Sequence, residues 1–231
     1  MVYGTEQRIF GSLKESAAPS LLPHTVAAQV EIKDLFRHSR AVPTLYFWTI
    51  TFCNLLCLYF LASWLPTLMR DEGQALSDAV LAGSAMQVGG LPGALFISAL
   101  AKRFSAPRVL VVNYLAGAIA ISLISTAALA GVPFLLATAF VVGMCIIGGQ
   151  AGIQGVGIDF YPPQLHATGL GWALGVGRLG SIVGPLIAGL LFEYGWSHQG
   201  VFRLAAGAGV LASLAAFGLV RLGVGNPAFE K

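Results

Sequence analysis

The chain has 231 residues, of which 56% are hydrophobic and only 10% charged, against about 25% charged residues in an ordinary soluble domain. With a mean hydropathy of +0.78, this excludes a soluble globular fold, because too little polar surface exists to cover one, and it makes the lipid bilayer the relevant solvent. The formal net charge of +3 is spread along the chain without any dense basic run, which argues against nucleic acid as a partner.

Residues 1–40 mix charges of both signs with Ser, Pro and His, and read as a polar arm with a short amphipathic surface helix over 26–36. The N-terminus lacks the apolar core and cleavage site of a signal peptide, so insertion is expected to begin at an internal helix. Six apolar segments follow at about 43–69, 79–101, 109–130, 134–157, 167–192 and 201–220. Each is long enough to cross a hydrocarbon core of about 30 Å as a helix, and none alternates like a membrane β-strand. The reading is an all-α membrane protein: a six-helix bundle over 41–222, closed by a tail at 223–231.

The first segment is rich in aromatic side chains that suit the membrane interface, among them Trp48, Tyr59 and Trp64. The positive-inside rule orients the bundle. With both termini cytoplasmic, the inner side collects Arg8, Lys14, Lys33, Arg37, Arg40, Lys102, Arg103, Arg108, Arg221 and Lys231, whereas the outer side keeps only Arg70 and Arg203. This places the chain in the cell's inner membrane, with Lys102 and Arg103 in one cytoplasmic connector and Asp159 at the start of another.

Arg178 lies near the middle of the fifth segment. A guanidinium at the bilayer centre costs roughly 2.5 kcal/mol or more, so it must face a bundle interior, a water-filled cavity or an anion. A fixed cation there can hold a substrate carboxylate through two parallel hydrogen bonds. The alternative is an arginine tied to helix-end carbonyls or a partner acid. Gly171, Gly175, Gly177, Gly180 and Gly184 punctuate the same segment and allow close helix packing, and Pro185 adds a bend. Asn54, Gln87, Gln150 and Gln154 are further polar residues at membrane depth. Gln150 and Gln154, four apart, share a helical face, and each amide serves either a polar path or an interhelical hydrogen bond.

Cys53, Cys57 and Cys145 lie in apolar segments and are expected to pack as small hydrophobes. His24, His38, His166 and His198 fall in loops and arms and are expected to be solvated. No nucleophile and base pair, phosphate loop or metal-ligand spacing can be assembled, so neither an enzyme nor a cofactor is implied.

Three stretches carry a family likeness: YFLASWLPTL at 59–68, QVGGLPG at 87–93 and ATGLGWALGVGRLGSIVGP at 167–185. Over residues 40–222 the chain resembles the C-terminal half of the major facilitator superfamily, and specifically the aromatic acid:proton symporters. The resemblance implies helices 7 to 12 of a twelve-helix protein, arranged as two three-helix inverted repeats, with residues 1–40 as the central cytoplasmic loop. It implies a small aromatic carboxylate as substrate, protons as coupling ion, and a preceding six-helix half that supplies the proton-carrying acids. Arg178 matches the family's membrane-embedded arginine. Tyr59, Trp64 and Trp172 would enclose the aromatic ring, and Asn54, Gln87, Gln150 and Gln154 would line the path.

The chain departs from the family pattern at Ala101–Phe104, where an acidic residue usually precedes the arginine, and at His166, where an arginine is common. A half-transporter that homodimerises or recruits a second half, and a non-transporting fragment, are the competing readings.

Overall fold

A computed structural model describes residues 31–37, 39–71 and 73–224. The compact unit that holds the helices begins at Ile32. A 3-10 helix at Ile32–Phe36 occupies the described part of the amphipathic stretch, whose residues 26–30 lie outside the described ones, as do His24 and His38. Six long helices follow: α1 (Ala41–Asp71), α2 (Leu76–Phe104), α3 (Ala106–Ala130), α4 (Val132–Phe160), α5 (His166–Glu193) and α6 (His198–Arg221). All six are long and apolar enough to span a membrane. The expected all-α, six-span architecture is present.

The helices overrun the expected apolar limits. Lys102 and Arg103, read as part of a connector, lie in the last turn of α2, and Asp159 lies in the last turn of α4, at the helix end expected of it. Backbone hydrogen bonding does not stop where the apolar side chains do. The links are correspondingly short. Ser105 alone, at φ 71°, separates α2 from α3, and Gly131 alone, at φ 112°, separates α3 from α4. Only glycine adopts the latter without strain, and Pro133 in the next turn starts α4 with its φ already helical.

Packing follows a two-fold pattern. The most extensive helix contacts are α2 on α4, α1 on α5 and α3 on α6, followed by α3 on α4 and α1 on α6. Exchanging α1–α2–α3 for α4–α5–α6 maps this set onto itself, and an odd number of spans per unit makes the second unit inverted. These are two three-helix inverted repeats, as half of a major facilitator bundle requires.

The same device builds both principal crossings. Gly89 and Gly93 of α2 press on the backbone of Phe140 and Met144 of α4, while Gly180 and Gly184 of α5 press on that of Phe52 and Leu56 of α1. In each case two glycines four apart meet two residues four apart. A Cβ on Gly180 would collide with the Phe52 carbonyl, and one on Gly184 would sit 2.7 Å from the Leu56 carbonyl. Lipid tails are as apolar as leucine, so helices gain little from burial itself and hold together through such close van der Waals contact.

Polar atoms inside the bundle bind carbonyls of neighbouring helices. Asn113 Nδ2 donates to Cys145 O at 2.7 Å, and Ser213 Oγ donates to Val111 O at 2.8 Å. Cys53, Cys57 and Cys145 are buried and free, as expected of small packing residues.

Candidate substrate-binding face

The site is built where α5 crosses α1. Because Gly177, Gly180 and Gly184 seat α5 against Thr51, Phe52, Leu55 and Leu56, the neighbouring turn of α5 is free to aim longer side chains along the crossing. Arg178 lies there on an exposed surface, and its Nη1 donates to the Tyr59 hydroxyl of α1 at 2.9 Å. Ser181 Oγ donates to the Arg178 carbonyl at 2.7 Å. Arg178 has no acidic partner among the described residues. Tyr59 is a neutral acceptor that does not offset the charge, so the remaining guanidinium donors can take an anion.

Aromatic residues flank this point along both helices. Trp172 of α5, 46% exposed, stacks on Trp48 of α1 with centroids 6.4 Å apart. Trp48 Nε1 is buried without a hydrogen-bond partner. Further along, Trp64 Nε1 donates to Pro185 O at 3.2 Å, and the Trp64 ring packs on Phe192 at 4.6 Å. The structure thus joins Arg178 to Tyr59, Trp172 to Trp48, and Trp64 to Pro185, all along one helix pair.

The expected polar residues are more dispersed. Asn54, read as lining a polar path or bridging helices, is 1% exposed, and its Nδ2 donates to Ile146 O of α4 at 2.8 Å. Its amide thus bridges α1 and α4, while its Oδ1 is buried without a hydrogen-bond partner. Gln150 is half-buried and Gln154 exposed on α4. Gln87 is exposed on α2, a helix that does not pack substantially on α5.

Gly171 and Gly175 differ from their companions. A Cβ on either would meet nothing within 4 Å, so close packing at these two positions involves no helix of the described unit. At one end of the bundle, Lys102 and Asp159 line a cavity of about 320 Å³ between the ends of α2, α3 and α4.

Three features escaped the sequence reading. The Tyr59 bond to Arg178 is one, since spacing 119 residues apart carries no local signal. Trp48 stood out only as an interfacial aromatic. The third is His198, which is partly exposed and also pairs with Asp71 through Nε2 at 2.8 Å, its ring centroid 5.0 Å from that of Phe192. His166 likewise has a partner, the Tyr161 carbonyl.

Two inverted three-helix repeats, with an exposed arginine in the fifth apolar helix that has no acidic partner among the described residues, are the arrangement expected of half a transporter bundle. Residues 47–230 match the Major Facilitator Superfamily model, and the chain belongs to that family of membrane transporters, as a multi-pass membrane protein and not an enzyme. It is 34% identical over 191 residues to a 4-hydroxybenzoate transporter PcaK of Pseudomonas aeruginosa, covering 83% of this chain and 42% of the relative. It is 33% identical over 212 residues to a 3-(3-hydroxy-phenyl)propionate transporter of Escherichia coli, covering 92% and 49%. A benzoate transport protein of Acinetobacter baylyi is 34% identical over 171 residues, covering 74% and 36%. The chain thus spans less than half the length of these relatives.

Proposed function

We propose that this chain is the C-terminal half of a secondary active transporter that moves a small aromatic carboxylate together with protons across the inner membrane, with both termini cytoplasmic. The observation that carries the reading is Arg178, an intramembrane cation oriented by Tyr59 and left without an acid among the described residues. The carboxylate binds the guanidinium, and the ring lies among the aromatic side chains of α1 and α5. Relatives named for hydroxybenzoate, benzoate and hydroxyphenylpropionate transport support this substrate class.

The second wall of the site is a preceding six-helix half. The relatives' greater length supports this, and the open space at Gly171 and Gly175 leaves that face of α5 uncovered by the described unit. Protons enter through acids of that half, and the two halves rock about the midplane site. Uptake of labelled 4-hydroxybenzoate into proteoliposomes tests the proposal, using this chain alone and joined to a six-helix N-terminal half of a relative. Uptake by the joined form that collapses with a protonophore, and is lost in Arg178→Ala, is the expected result. Undiminished uptake by the Arg178→Ala form overturns the assignment of the arginine, and uptake indifferent to the protonophore overturns proton coupling.

A further inference from the structure

Away from Arg178, the bundle carries a groove between α2, α3 and α4 with a volume of about 450 Å³. Its walls are apolar, formed by Phe96, Leu100, Phe104, Val112, Ala116 and Val141 among others. Asn113, a polar residue in the wall, has turned its Nδ2 onto the Cys145 carbonyl. The groove opens beside the exposed row of α3, where Val112, Leu115, Ile119 and Leu123 are all apolar. That row has the character of a lipid-facing surface, and α3 does not pack substantially on α5, the helix that bears Arg178.

One end of the groove is cationic. Arg108 forms part of its lining there, is exposed and has no ion-pair partner among the described residues. Phe104 lines the same end, and the Arg103 guanidinium lies 5.4 Å from the centre of its ring. Lys102 is in the same terminal turn of α2. From this end the groove reaches Gly93, eleven residues up α2, which at 1.5 Å per residue is about 16 Å. That depth matches one leaflet, about half of a 30 Å hydrocarbon core.

We propose that this groove is a binding site for an anionic phospholipid, with one acyl chain lying between α2 and α3 and the phosphate held by Arg108, supported by Arg103 and Lys102. An apolar slot one leaflet deep, with cations only at its mouth, fits the two parts of such a lipid. Basic clusters at the membrane surface select anionic headgroups by charge. The site is separate from the substrate-binding face, and it requires only that the bundle be embedded in a bilayer.

The test uses the full chain, purified in detergent and freed of lipid, then titrated with dioleoyl phosphatidylglycerol or dioleoyl phosphatidylcholine and followed by native mass spectrometry. The first phosphatidylglycerol should bind at least about fivefold more tightly than phosphatidylcholine. Arg108→Gln should remove the larger part of the phosphatidylglycerol preference, and the triple change with Lys102→Gln and Arg103→Gln all of it, without altering phosphatidylcholine. Val112→Trp fills the groove from an exposed position and should weaken both lipids while the melting temperature stays at that of the parent. Equal affinity for the two lipids in the parent, or a phosphatidylglycerol preference undiminished by Arg108→Gln, overturns the headgroup assignment. Unchanged binding in Val112→Trp overturns the groove as the seat of the chain.

Discussion

Arg178 and Tyr59 meet across the α1–α5 crossing, the guanidinium donating to the phenol at 2.9 Å. A neutral acceptor orients the cation without cancelling it. Tyr59→Phe, in a transporter restored to twelve helices, should therefore raise KM for 4-hydroxybenzoate by about fivefold to tenfold while leaving kcat nearly unchanged, the loss of one hydrogen bond of about 1 kcal/mol. Arg178→Lys should be the more damaging change, because an ammonium cannot present two parallel donors to a carboxylate. Initial-rate uptake over a substrate series separates the two, and a Lys variant with parental KM would refute two-point binding.

The matched glycine pairs predict matched sensitivities. Gly184→Val and Gly93→Val each drive a branched side chain into a facing backbone, and each should destabilise the bundle by about 1–3 kcal/mol, the usual cost of overpacking. Gly207, with open space around its Cβ position, is the control: Gly207→Ala should be neutral or stabilising by up to about 1 kcal/mol through helix propensity. Melting temperatures in detergent give the comparison. A Gly93 variant as stable as the parent beside a crippled Gly184 variant would contradict the two-fold packing.

Asn54→Leu should cost no more than about 1.7 kcal/mol, the upper range of measured interhelical hydrogen bonds in a membrane bundle. Because its amide is sealed against Ile146, the substitution should leave substrate KM unaltered. A large KM change with a stable fold would return Asn54 to the substrate path.

The pair formed by His198 and Asp71 is partly solvent-exposed, so its coupling should be weak. A double-mutant cycle with His198→Ala and Asp71→Asn should give less than about 1 kcal/mol. His198→Ala alone should cost somewhat more, because the imidazole also covers the Phe192 ring.

What could be read from the amino acids follows from what the bilayer enforces. Hydrocarbon requires every spanning backbone to be helical, so six apolar runs gave six helices, and a lone guanidinium in the fifth run marked Arg178. Helix α2 runs on through Lys102 and Arg103, read as a connector, because charge marks the edge of the lipid and not the end of backbone pairing, whereas Asp159 lies at the helix end expected of it. Asn54 and Gln154 look alike in sequence, yet one is sealed and the other exposed, and only the rotation of α1 against α4 decides which. Tyr59, Trp48 and His198 gained partners through the crossing of distant segments, a relationship no local pattern records.

The interlocked glycines have a mechanical consequence. A helix keyed into its neighbour's backbone at two successive turns cannot tilt by itself, so α1 with α5, and α2 with α4, act as two stiff struts. A slide of one strut past the other would then have to break the Asn54 bond to the Ile146 carbonyl, which ties α1 to α4, and shear the seam where α3 touches α6.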